Sequence, residues 1–172
     1  DFGVKNSQLK FLAEQGMDLC IVPASFTAEQ VKATGAEAVF LSSGPGDPAA
    51  LKDVIAEVAK LADAMPMAGV GLGHQLLILA LGGTSSNGAK MKRMKVGHHG
   101  ANSPSRKMAT GNVVITTQNC GFSVTAPEGV EEAFVGLNDG ILEGFRHASK
   151  PLIGRQFEAC PVFYAEFKAL VK

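Results

Sequence analysis

MAGVGLGHQLLILALGG, residues 67–83, holds three structural signals in succession. Met67 to Val70 is short, apolar and free of charge, which predicts a buried strand. Gly71 to Gly73 gives a tight turn, and His74 to Leu81 is apolar on nearly every face, as in a helix enclosed by its neighbours, with Gly82 and Gly83 as its stop. Strand, turn and buried helix joined this closely predict an α/β protein whose sheet is covered by helices.

Working outward, the segment from about Ala49 to Met65 repeats Leu51, Val54, Ile55, Val58, Leu61 and Ala62 at spacings of three and four, a helix that Pro66 ends. Before it, Ala38 to Leu41 is an apolar strand. Thr27 followed by Gln30 resembles the capping box of a short helix. Residues 17–23 (MDLCIVP) are apolar, β-branched and closed by a proline, which predicts a buried strand, and residues 6–15 predict a first helix stopped by Gly16. The alternation predicts an open, mostly parallel twisted sheet with helices on both faces, whose ligand sites lie beyond the carboxyl ends of the strands. The loops after Leu41 and Val70 are therefore the places to look.

The second half changes character. Val113 to Thr117, Phe122 to Val124, Ala133 to Leu137, Ile141 to Phe145 and Leu152 to Phe157 are short strand candidates, and Asn138-Asp139-Gly140 is a hairpin signal between two of them. An antiparallel region is expected there. Val162 to Lys172 closes the chain as a helix with Phe163, Phe167, Leu170 and Val171 on one face.

Composition narrows the function. The 172 residues fit one domain spanning 1–172, and 46% hydrophobic with 19% charged residues is a globular balance. Sixteen basic and sixteen acidic side chains cancel, so no global field favours nucleic acid or an anionic membrane. The longest apolar run, Gly69 to Leu81, is interrupted by His74 and Gln75 and falls short of the roughly 20 residues a bilayer requires. No basic amino-terminal signal is visible, and Cys20, Cys120 and Cys160 have no paired spacing, so a reducing cytoplasm fits best. A start at Asp1 in place of Met points to a fragment or a processed product.

Two loops could carry chemistry. LSSGPGDP, residues 41–48, sets two glycines around a proline where backbone N–H groups can approach a ligand, and Asp47 can cap the next helix. A plain strand-to-helix turn accounts for it equally well. No Gly-Lys-Ser/Thr follows, so it is not a phosphate loop. GVGLGHQLL, residues 69–77, has the outline of a nucleophile elbow, yet Gly71 at its tip has no side chain to attack with. A glycine turn that only packs helix against strand is the competing reading.

GPGDP at 44–48, GLGHQLLILALGG at 71–83, GHHGAN at 97–102, TQNCGF at 117–122 and LNDGILEG at 137–144, with DFGVKNSQL at the start, resemble the class I glutamine amidotransferase domain of carbamoyl phosphate synthetase small subunits. The ordered set covers nearly the whole chain and implies flavodoxin-like layering. It also implies glutamine hydrolysis. An elbow cysteine attacks the side-chain amide, a histidine acts as base, a glutamate orients it, and ammonia passes to a large synthetase subunit without any cofactor or metal. Carried over by residue, the pocket for L-glutamine comprises Gly44, Gly46, Leu72, Gln75, Asn119, Gly121 and Phe122, with N–H groups near Gly44 and Leu72 as the oxyanion site.

The catalytic set departs from the pattern. The cysteine position is Gly71. The family's Gln-Phe-His-Pro-Glu segment is here Gln156-Phe157-Glu158, so the His-Pro pair is missing and only Glu158 remains of the triad. In related triad hydrolases such losses leave about 10³ to 10⁴ over water. Cys120 stands where the family has a histidine and is expected to be a bystander thiol. Cys160 follows the deletion and has no assigned place. His74 is expected to pack or hydrogen-bond within its buried helix and His147 to lie at the surface, while His98 and His99 face opposite sides of any strand and make a poor metal pair. The family's strand before Asp-Phe-Gly, and the amino-terminal domain that binds the large subunit, are not in this sequence. Three readings follow: a disabled amidotransferase domain, a glutamine-binding or scaffolding pseudoenzyme, or an engineered sequence bearing the family's pattern without its active site.

Overall fold

The computed structural model describes residues 1–82 and 91–171. Helix α1 covers Asn6–Glu14 and α2 Ala28–Ala33, the latter capped by Thr27, whose hydroxyl accepts from the Gln30 N–H. Strand β1 is Val39–Leu41. A 3-10 turn at Pro48–Ala50, capped by Asp47, leads into α3, Lys52–Ala62. Strand β2, Met67–Val70, has the predicted bounds, and α4, Leu72–Gly82, begins one residue after Gly71. The predicted stop at Gly83 lies outside the described residues. Then follow β3 (Met91–Lys107), β4 (Val113–Val124), β5 (Val130–Gly136), β6 (Leu142–His147), β7 (Leu152–Arg155) and α5 (Pro161–Lys168).

The seven strands of the described residues form one sheet in the order β1-β2-β7-β6-β5-β3-β4. β1, β2 and β7 are parallel, and β6, β5, β3 and β4 continue the sheet antiparallel. The α/β architecture with helices on both faces is thus present, and the hairpin region extends the same sheet. Strand alternation distributes the core: Met67, Leu41 and Leu152 pack with α3 and α4 on one face, while Ala68, Val70 and Ile153 pack with α1 and α5 on the other. Leu77 and Ile78 of α4 are fully enclosed, each contributing about 1.5–3 kcal/mol of burial.

Residues 17–23 correct the sequence reading, because they form no strand. Leu19 and Ile21 are 41% and 57% exposed. A groove of about 730 Å³ separates this segment from β1, so its backbone finds no ladder to join. β-branched composition supplies a propensity to pair and not the partner. The two predicted strands at 113–117 and 122–124 merge into the continuous β4, and β3, which lacks apolar alternation, was not foreseen from the sequence.

Candidate functional site

The Val70-to-Leu72 bend sets the site. Gly71 adopts φ +57°, a left-handed conformation that side-chain-bearing residues rarely hold. A Cβ on Gly73 would stand 2.2 Å from the Leu41 carbonyl oxygen, so a glycine there is what lets α4 start against the end of β1. The Gly71 N–H donates to the Arg155 carbonyl at 2.9 Å and the Gly73 N–H to the Ser42 carbonyl at 3.2 Å. Among the described residues the Leu72 N–H has no such bond, and it opens the first turn of α4 beside the pocket.

A cavity of about 560 Å³ opens at this bend, and every residue that the resemblance assigns to the pocket or the triad lines it: Gly44 and Gly46, Gly71, Leu72 and Gln75, Asn119, Gly121 and Phe122, and Glu158. They arrive from four separate segments, at the carboxyl ends of parallel strands and from β4. Sequence reasoning missed further lining groups, Lys5, Ser43, Gln118 and Gln156 among them. Lys5 sits inside the quoted DFGVK run, which was the available signal.

Polar groups in the cavity are largely committed. The Gln75 amide NH₂ donates to the Phe122 carbonyl at 2.8 Å and to Gln156 Oε1 at 2.9 Å, so its two donors fix the wall and, among the described residues, its Oε1 is left open. Asn119 Oδ1 lies 2.7 Å from His99 Nδ1. The Glu158 N–H donates to the Thr117 carbonyl at 3.0 Å, and its carboxylate accepts from the Lys5 ammonium. Lys5 and Glu158 therefore set opposite charges side by side at the mouth.

No histidine is among the described residues lining the cavity. His74 is wholly buried on α4 against Phe145, with neither ring nitrogen hydrogen-bonded among the described residues, and burial followed by the Arg155 charge pushes its pKa down to about 3. Of the two expectations for His74, packing is met, and hydrogen bonding is not met among the described residues. His147 is half-buried, its Nδ1 accepting from the Ser149 and Lys150 N–H groups. Cys120 does line the cavity, but burial foremost pushes its thiol up to about 11, the protonated and unreactive form at neutral pH. Cys20 and Cys160 are exposed and free. No group of three or more His, Cys, Asp or Glu side chains suited to a metal ion occurs among the described residues, and no described helix is long and apolar enough to cross a membrane.

Comparison with known proteins places this geometry. The chain is 50% identical over 182 aligned residues to the carbamoyl phosphate synthase small chain of Nitratidesulfovibrio vulgaris Hildenborough, an alignment taking in 100% of this chain and 47% of that protein. It is 44% identical to the carbamoyl phosphate synthase small chain of Archaeoglobus fulgidus, over 91% of this chain and 43% of that one. The chain thus spans about half the length of these relatives. Among solved structures, a putative GMP synthase subunit from Thermoplasma acidophilum superposes with TM-score 0.83 at 19% identity, covering 99% of this chain and 90% of that one, which shows a shared fold. A glutamine amidotransferase from Thermotoga maritima gives TM-score 0.59 at 19% identity, over 85% and 61%. The sequence model of glutamine amidotransferase class-I matches residues 1–158, and the chain belongs to that family.

Proposed function

We propose that this chain is the glutamine-binding amidotransferase domain of a carbamoyl phosphate synthetase small subunit that no longer hydrolyses glutamine. One observation carries the reading: at the elbow of a cavity lined by the residues that the resemblance assigns to glutamine stands Gly71, with Glu158 held by Lys5 where the family's pattern would pair it with a histidine. Releasing ammonia from a side-chain amide requires an atom that bonds to the carbonyl carbon and an acid that protonates the departing nitrogen. Gly71 offers no atom, the Cys120 thiol is protonated at neutral pH, and no imidazole lines the cavity among the described residues. Binding is a separate matter. The Lys5 and Glu158 charges match the carboxylate and ammonium of an amino-acid zwitterion, and the open Gln75 Oε1 and Leu72 N–H suit a side-chain amide.

The relatives' identity supports pairing with a large synthetase subunit, which, with hydrolysis lost in this chain, would draw on free ammonia. The test is ammonia release from L-glutamine with and without that subunit, together with calorimetry. Background release with measurable binding heat is expected. Turnover that Cys120→Ala abolishes overturns the loss of hydrolysis, and an absence of binding heat overturns glutamine retention.

A further inference from the structure

The strand wall of the pocket lies where the β3–β4 ladder is irregular. β4 pairs with β3 through His98 to Cys120, His99 to Asn119 and Gly100 to Gln118, a three-residue island between register breaks on either side. Phe122 pairs in turn with Arg93 across the first break, and side chains add to this interrupted ladder at both ends of residues 118–122. Gln75 holds one end through the Phe122 carbonyl. The other end is held through Gln118, which is buried and begins a polar relay.

The hydrogens of that relay follow from its members. Thr116 Oγ1 donates its single hydrogen to the Ser103 carbonyl at 2.8 Å, so it accepts from Gln118 Nε2 at 3.0 Å. That orients Gln118 Oε1 toward His98 Nδ1, 2.8 Å away, and Nδ1 must carry a proton. His98 Nε2 lies 2.7 Å from Asp139 Oδ2, a carboxylate oxygen that also needs a donor. Both ring nitrogens donate, so the network is built for the imidazolium. Glu143 reinforces this: its side chain is 1% exposed, Oε1 lies 3.5 Å from Nδ1, and Oε2 has no partner among the described residues. The imidazolium is the cation that lies beside this enclosed side chain.

We propose that His98, as an imidazolium, is the positioning residue of the pocket's β4 wall, tying the Asp139 turn to Gln118 so that ligand binding depends on its charge. This rests on the glutamine-pocket reading and adds to it a residue outside the pocket lining. The titratable groups facing His98 are Asp139 from the β5–β6 turn, Glu143 from β6 and the Cys120 thiol from β4. Burial is the largest influence and opposes the charge, but the Gln118 and Asp139 hydrogen bonds with the two carboxylates hold the His98 pKa above its ordinary value. A raised histidine pKa gives a contribution that is complete below the ordinary value of about 6.5 and lost as pH rises through the folded value.

The experiment is a ¹⁵N NMR titration of the imidazoles in the full chain, run beside calorimetry with L-glutamine from pH 6 to 9. Both His98 nitrogens are expected protonated at pH 6.5, with affinity falling about tenfold across the His98 midpoint. Asp139→Asn is expected to move that midpoint, and the affinity loss with it, to lower pH. A neutral His98 at pH 6.5, or an affinity profile that Asp139→Asn leaves in place, overturns the proposal. Should L-glutamine fail to bind at every pH, the functional reading falls alone. The ring spectrum and the pH dependence of amide exchange at residues 119–122 then decide the positioning role, with exchange indifferent to pH overturning it.

Discussion

The Lys5 ammonium and the Glu158 carboxylate, 153 residues apart in the chain, form an ion pair at the mouth of the cavity that Gly71 borders. Their side chains are 54% and 37% exposed, so solvent screens the pair, and its worth to folding is at most about 0.5 kcal/mol. Its place at the pocket gives it another use. Lys5→Met is expected to leave the melting temperature almost unchanged while weakening L-glutamine binding about tenfold, the loss of one charge-assisted hydrogen bond. Calorimetry beside a thermal melt separates the two effects. Equal affinity in the variant and the parent makes the pair a surface contact only.

Restoring the cysteine alone should not restore the chemistry. A Cβ at position 71 would meet Ser43 Cβ at 3.4 Å, an ordinary contact, but the φ of +57° disfavours any side chain. Gly71→Cys is therefore expected to cost about 1–3 kcal/mol of stability. Without a base it should release ammonia only at background. Adding His-Pro between Phe157 and Glu158 to that variant is expected to raise release well above background. A Gly71→Cys protein more stable than the parent would contradict the strain argument.

The elbow was legible in the sequence because strand, turn and helix each bear their own signal within Met67 to Gly82: apolar residues, glycines at the bend, and an unbroken apolar run. The pocket wall was legible through resemblance alone. Gln118 to Gly121 read as a turn between two strand candidates, yet they lie within β4, where Thr116 and Gln118 point inward and are satisfied by the relay to His98. Buried polar residues that hydrogen-bond one another defeat an apolar-alternation test. β3 escaped for a similar reason, since its strand character comes from pairing with β4 and not from its own composition. Residues 17–23 failed the opposite way, having the composition of a strand without a ladder. The Asp139, Glu143 and His98 cluster joins segments 41 residues apart, a proximity only the fold creates.

Cys120 tests whether any thiol has taken over. Its pKa is raised to about 11 by burial first, with the Glu143 and Asp139 charges adding to the effect, which leaves little thiolate at neutral pH. Cys20 and Cys160 are exposed. Iodoacetamide at pH 7.5 is therefore expected to alkylate both before Cys120, which should lag by more than about tenfold. Peptide mass spectrometry over a time course reads the order directly. Preferential labelling of Cys120 would mark it as an activated nucleophile and reopen the question of turnover.

His74 gives the acid limb of stability. The folded protein holds it neutral, with a pKa near 3 set by burial and then by Arg155, while in the unfolded chain it protonates near 6.5. For a histidine so depressed the stabilising difference is complete above about 6.5 and is lost as pH falls toward the folded value, with a slope of at most about 1.4 kcal/mol per pH unit. Neither ring nitrogen has a partner among the described residues, and the ring packs on Phe145. His74→Leu therefore removes two uncompensated polar atoms from the core and should hold or raise stability at pH 7. Urea denaturation of parent and variant at pH 7, 6 and 5 is expected to show the parent losing stability faster on acidification. Parallel profiles would mean that His74 is charged in the folded state.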